Sequence, residues 1–199
     1  MKRLLLTTIS IILLISIYYS YNTEIEKSQF IKKIEELRVE RNNYMYKSKS
    51  SPLYNSEFKL MYFYPNNDFK VLAKIKKYQK IDTIKFLTST GESQNFLKFA
   101  KLEFKLNKNI HELPLYKYLD KSNKNEIFLC FTDKTNGIST YEGGRYLDIS
   151  FKNAKRIEID FNKAYNPYCV YDSKFSCPIP KKENFINTEI LAGEKINLN

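Results

Sequence analysis

The chain has 199 residues, 43% of them apolar and 28% charged, with a formal net charge of +11. That balance excludes a disordered chain and leaves enough sequence for one domain with a proper core. The positive charge is mostly lysine scattered along every segment, with Arg only at 3, 38, 41, 145 and 156. A nucleic-acid reader would gather Lys and Arg on one face, so nucleic acid is not an expected partner.

Lys2 and Arg3 precede LLLTTISIILLISIYYSYNT, and no charge appears from Leu4 to Thr23. Twenty helical residues span roughly 30 Å, the hydrocarbon thickness of a bilayer. Tyr18, Tyr19 and Tyr21 sit where an interfacial aromatic belt would lie. A signal anchor and a cleaved signal peptide both place the rest of the chain outside the cytoplasm, because positive residues stay inside. No A-x-A-like cleavage site and no following cysteine are present, which favours the anchor. The expectation is therefore a membrane segment at 1–23, with residues 4–23 anchoring an extracytoplasmic domain in the cell envelope.

Thr23-Glu24-Ile25-Glu26 fits a capping box. Phe30, Ile31, Ile34, Leu37, Tyr44 and Met45 then recur at helical spacing, giving an amphipathic stalk over 24–48. The stalk is expected to dock on the domain, because its heptad pattern is too short for a coiled coil. Ser50-Ser51-Pro52 ends it, and 49–199 reads as the β-rich domain.

Sixteen Tyr and fourteen Phe favour strands. Strand patterns cover 59–64, 69–78, 81–88, 98–106, 110–118, 127–131 and 156–161. In the fourth, Ala100, Leu102, Phe104 and Leu106 face one side and Lys101, Glu103 and Lys105 the other. There is no βαβ rhythm and no internal repeat. The fold class is mainly β (α+β): an antiparallel sandwich or partly closed barrel with the N-terminal amphipathic helix at its edge.

Residues 127–194 hold all three cysteines, four of the five glycines and three of the six prolines. Gly143-Gly144 permits a tight turn or close ligand approach, and Arg145 beside it suits a carboxylate or phosphate. Internal pairing of Arg145 with Asp133, Asp148 or Asp160 is the competing reading. Asp160, Asn162, Tyr165 and Asn166 crowd one strand-to-loop passage, where a rim site or an Asn-Pro turn would use them. The candidate ligand-binding set is Asp133, Tyr141, Gly143, Gly144, Arg145, Asp160, Asn162, Tyr165 and Asn166. Asp160 and Glu189 are the candidate acid–base carboxylates, with a salt bridge as the plainer role for Glu189.

Cys169 and Cys177 lie eight positions apart, and in an oxidising compartment a disulfide is the first expectation. Closing that loop would stabilise by about 2.5 kcal/mol in the chain-entropy model. Two packed thiols, or a nucleophilic cysteine lacking an obvious base, are the other readings. His111 is the only histidine and the cysteine spacing is wrong for zinc, so no metal is expected. No phosphate loop or dinucleotide turn appears, so no cofactor is expected either.

The motifs FTDKTNG, TYEGGRYLDI, IDFNKAYNPYCVY, SCPIP and ILAGEK occur in this order, after SSPL and MYFYPNNDFKVLAKI. Together, from about Arg38 to Lys195, they resemble the bacterial family known as domain of unknown function 1684. Two departures are Glu142, where that family usually has a third glycine, and Cys130, where it often has proline. The resemblance implies a shared fold and site and no assigned reaction. Two function classes follow: an exported domain binding a small polar or anionic ligand, or a hydrolase using carboxylate chemistry.

Overall fold

A computed structural model describes residues 2–119, 126–151 and 154–196. One helix, α1 (Lys2–Lys47), takes in both the apolar run and the stalk. The expected capping box does not form, because no glycine or proline interrupts the chain there. Thr23 instead donates to the Tyr19 carbonyl at 2.8 Å, within the helix. From Leu6 to Tyr21 the side chains are exposed, and α1 is by length and composition a helix that could cross a membrane near its N-terminus. The C-terminal half docks on the domain through buried Ile34, Arg38 and Met45.

The docking surface is a short ribbon of β1 (Met61–Tyr62) and β9 (Glu194–Lys195), in which Tyr62 pairs with Glu194. Arg38 donates to the Phe63 carbonyl at 2.7 Å and stacks over Tyr62, 4.7 Å from the ring centre. The Tyr62 hydroxyl donates to Asn42 at 2.8 Å. Sequence spacing predicts this helix–domain contact, and polar side chains such as Arg38 and Asn42 join the apolar Ile34 and Met45 in making it.

The main sheet runs in the order β6-β5-β4-β3-β2-β7, with β8 parallel to β5. Its strands are β2 (Lys70–Leu87), β3 (Ser93–Leu106), β4 (Asn109–Tyr118), β5 (Glu126–Asp133), β6 (Arg145–Ser150), β7 (Arg156–Asp160) and β8 (Phe185–Ile186). All pairings along the path are antiparallel. Just beyond β7, Tyr165 exchanges two backbone hydrogen bonds with Tyr146 of β6, at 3.0 and 2.9 Å. That bridge brings the two ends of the sheet together, so the sheet is nearly closed into a barrel.

The segments read separately as 69–78 and 81–88 are one strand. A register shift between Lys77 and Asp82 produces the apparent break. Strand β5 is apolar from Ile127 to Phe131 because both its faces are covered there. Ile127, Leu129 and Phe131 join one core with Ile186, Ile190 and Ala192 of the C-terminal strip. Phe128 and Cys130 point the other way, into an aromatic cluster with Phe86, Phe96, Tyr116 and Tyr146.

Candidate functional site

The glycine pair and Arg145 build an internal clamp. Gly144 has φ +89°, and a Cβ there would lie 2.5 Å from the Phe131 carbonyl oxygen, so only glycine fits. Arg145 follows with no exposed surface. Its Nη2 donates to Asp133 and to the Ile190 carbonyl, both at 2.8 Å. Its Nη1 donates to the carbonyls of Ala192 and Glu194. Asp133 also accepts from the Thr135 amide and hydroxyl at 2.9 and 2.6 Å. The guanidinium thus ties β5 and β6 to residues 190–194, and its partners are all protein groups. Of the pairings weighed from sequence, Asp133 is the one the structure forms.

The second group serves the backbone as well. Asp160 caps the following turn by accepting from the Asn162 amide at 3.0 Å. Asn162 accepts from the Asn66 amide at 2.9 Å and donates to its carbonyl at 2.8 Å. The Asn166 amide donates to Glu194 at 2.8 Å. Arg145 and Asp160 therefore do not converge on one hollow: each is enclosed by different partners. Glu189 is exposed while Asp160 is buried and engaged as a cap, so these two carboxylates do not form an acid–base pair.

Glu194, in the ILAGEK motif, is a hub. It is fully buried. It accepts from Arg41 of α1, from the Asn166 amide, and from the Tyr171 hydroxyl at 2.9 Å. Burial draws the Arg41 pKa down, but the charge and hydrogen bond of Glu194 more than offset it, so the net shift is upward. Arg41 is charged at every physiological pH. Its Nη2 is buried without a hydrogen-bond partner.

Arg41 stacks over Tyr165, with its guanidinium carbon 4.6 Å from the ring centre. Below that pair opens a cavity of ≈ 390 Å³ whose apolar walls are Tyr118, Phe128, Tyr146, Tyr165, Tyr168 and Phe175. Asp148 and Gln94 supply polar groups to it. The Tyr165 hydroxyl donates to Asp148 at 2.5 Å, and the Tyr146 hydroxyl to the Pro178 carbonyl at 2.5 Å. Burial pushes the Tyr118, Tyr146 and Tyr165 phenols well above their usual pKa, and Tyr168 up to about 12. The phenols stay neutral and act as donors. Tyr165 is the one residue of the sequence-derived set that lines this cavity. The rest come from α1, four strands and the 165–178 segment. The clue available in sequence was Arg41 itself: in a chain that uses lysine for solvated charge, an arginine one turn from Arg38 marks a demand for a planar, stacking cation.

Tyr146, Cys177 and Pro178 also wall a second cavity, of ≈ 440 Å³, whose further lining includes Ser89, Tyr141, Gly143 and Cys169. Cys169 and Cys177 are free thiols in the structure. They adjoin each other, the Cys169 amide donating to the Cys177 sulfur at 3.2 Å. The third thiol, Cys130, is fully buried, and burial raises its pKa far above the usual range.

Residues 56–195 match the sequence profile of the family described as a protein of unknown function (DUF1684). No curated protein matches the chain. A solved structure that is similar is the solution NMR structure of an uncharacterised protein from Haloarcula marismortui. It is 28% identical, with a TM-score of 0.67, covering 87% of this chain and 97% of that one. The clamp glycine Gly144, Arg145, Asn166, the two cysteines and Glu194 all lie inside the matched span, and the chain belongs to the DUF1684 family.

Proposed function

We propose that this protein is a membrane-anchored binding domain that takes a small, ring-bearing anionic ligand into the aromatic cavity beneath Arg41. The observation that carries the reading is a permanently charged arginine on the wall of a pocket with six rings, its Nη2 buried without a hydrogen-bond partner. A buried donor without an acceptor costs roughly 1–3 kcal/mol, and a turn of the guanidinium toward the cavity would let a ligand carboxylate recover that cost. Aromatic walls hold a flat ring by offset or edge contacts. Asp148 would accept from a hydroxyl or amine at the ligand's other end. Glu194 cancels the Arg41 charge, so the site rewards a directed acceptor more than bulk negative charge. The apolar part of α1 would hold the domain at the outer face of a membrane, in keeping with the charge pattern around residues 4–23.

The test is calorimetric titration of the full-length protein in detergent with 4-hydroxybenzoate, and with tyramine as a cation carrying the same phenol ring. The expected result is saturable binding of the carboxylate, at least tenfold tighter than the amine. Preference for tyramine, or no binding of either, would refute the anionic reading. The hydrolase alternative draws less support, because Asp160 is buried and engaged as a cap and Glu189 is exposed.

A further inference from the structure

The second cavity brings together two sulfurs, a phenol and a hydroxyl that the binding reading does not use. Cys169 is half-buried on the wall of the cavity, with Cys177 behind it. The Cys169 amide donates to the Cys177 sulfur at 3.2 Å, and the Cys177 amide to the Ser89 hydroxyl at 3.1 Å. These backbone contacts fix both thiols at one end of the 169–177 loop. Tyr141 reaches the same place because Gly143 makes room for it: a Cβ at Gly143 would lie 2.5 Å from the Tyr141 ring. This gives the glycine of the Tyr141–Tyr146 motif a role distinct from the Gly144–Arg145 clamp.

The electrostatics are asymmetric. The Cys177 thiol hydrogen-bonds the Cys169 sulfur, with help from Ser89 and Tyr141 against the opposing effect of burial, and draws its pKa down to about 6. The Cys177 pKa moves up, first through that shared hydrogen bond and then through burial. Glu142 is the carboxylate on this cavity, and the Tyr146 phenol is turned to the Pro178 carbonyl. The geometry suits an attacking and a resolving thiol: Cys169 is half-buried on the cavity wall, and Cys177 is buried.

We propose that Cys169 and Cys177 form a redox-active dithiol that exchanges with a small external disulfide, Cys169 being the attacking sulfur and Cys177 the resolving one. The Cys169 thiolate attacks one sulfur of the disulfide and expels the other half as a thiolate. Cys177 then loses its proton to solvent and attacks the Cys169 sulfur, releasing the second half. Two protein thiols become one disulfide and the external disulfide becomes two thiols, so atoms and electrons balance. The site stands independently of ligand binding in the aromatic cavity, although the two cavities share Cys177.

The probe is bis(2-hydroxyethyl) disulfide, which is small and uncharged. Reduced full-length protein at pH 6 is mixed with it, quenched in acid and read by intact and peptide mass. Cys177→Ser is expected to accumulate a mixed disulfide on Cys169 about tenfold faster than a peptide of residues 168–178 with the same substitution. That factor weighs a larger thiolate fraction against lower intrinsic nucleophilicity. Wild type should pass to the internal disulfide without a lasting adduct, and Cys169→Ser should react slowly. Tyr141→Phe should shift the rise of the Cys169 rate to higher pH while leaving the products unchanged. Three results would overturn the proposal: Cys169 reacting no faster than the peptide, first attack at Cys177, or protein purified with a Cys169–Cys177 disulfide that millimolar 2-mercaptoethanol leaves intact. The last would make the pair a structural crosslink.

Discussion

Arg145→Met is expected to lower the unfolding free energy of the domain by about 3–5 kcal/mol, the range for breaking a buried ion pair by removing one partner. Small domains are stable by only about 5–15 kcal/mol, so the variant should melt far earlier or fail to accumulate. The loss has two sources. Asp133 would be left buried, with no exposed surface and no cation. The carbonyls of Ile190, Ala192 and Glu194 would lose their shared donor. Asp133→Asn should cost somewhat less, because the amide can still accept from Thr135. The double variant Arg145→Met, Asp133→Leu should not recover wild-type stability, since the three carbonyls remain unpaired in it. Urea unfolding of the full-length protein, followed by tyrosine fluorescence, reads all three. Unchanged stability in Arg145→Met would mean that Arg145 is no clamp.

Glu194→Ala is the second large effect, expected at about 3 kcal/mol. Arg41 would stay charged and mostly enclosed, without its carboxylate. The Asn166 amide and the Tyr171 hydroxyl would lose their acceptor too. The damage should be local: α1 holds the domain partly through Arg41, so hydrogen exchange should quicken around 38–46 and 165–171 before it changes in β3 and β4. Binding of 4-hydroxybenzoate should weaken by more than tenfold, because Arg41 would no longer be pinned over Tyr165. Glu194→Gln keeps an acceptor and should retain part of both properties. Equal exchange across the molecule, or intact binding in Glu194→Ala, would separate Arg41 from the cavity.

Strands with one buried face were legible in the sequence. Ala100, Leu102, Phe104 and Leu106 are all buried, as their alternation requires. Strand β6 was missed because it begins with a charged residue in the core. Arg145 has a polar label and the burial of a leucine, and only tertiary pairing with Asp133 makes that tolerable. The same ambiguity governs the Gly143-Gly144-Arg145 motif. A glycine pair beside an arginine suits an anion site and a buried clamp equally well, and periodicity carries no information about which carboxylate will face it. The aromatic cavity was illegible for another reason: Arg41, Gln94, Tyr118, Phe128, Asp148 and Tyr168 come together only when the sheet curls and the Tyr146–Tyr165 bridge forms. The spacing of Cys169 and Cys177 led to the expectation of a disulfide, and the structure holds them as adjacent free thiols; the hydrogen bonds that distinguish one sulfur from the other also involve Ser89 and Tyr141, far away in sequence.

The account stands on Arg41 and its ring of tyrosines being where a ligand sits. The most direct measurement repeats the 4-hydroxybenzoate titration on two variants outside both clamps, Gln94→Glu and Tyr168→Ala. The first adds a negative charge to the cavity wall, and the second removes one aromatic side. Each is expected to weaken binding by about five- to tenfold, roughly 1 kcal/mol, and Gln94→Glu to do so at an unchanged melting temperature. Equal affinity in wild type and both variants would place the carboxylate elsewhere and contradict the account.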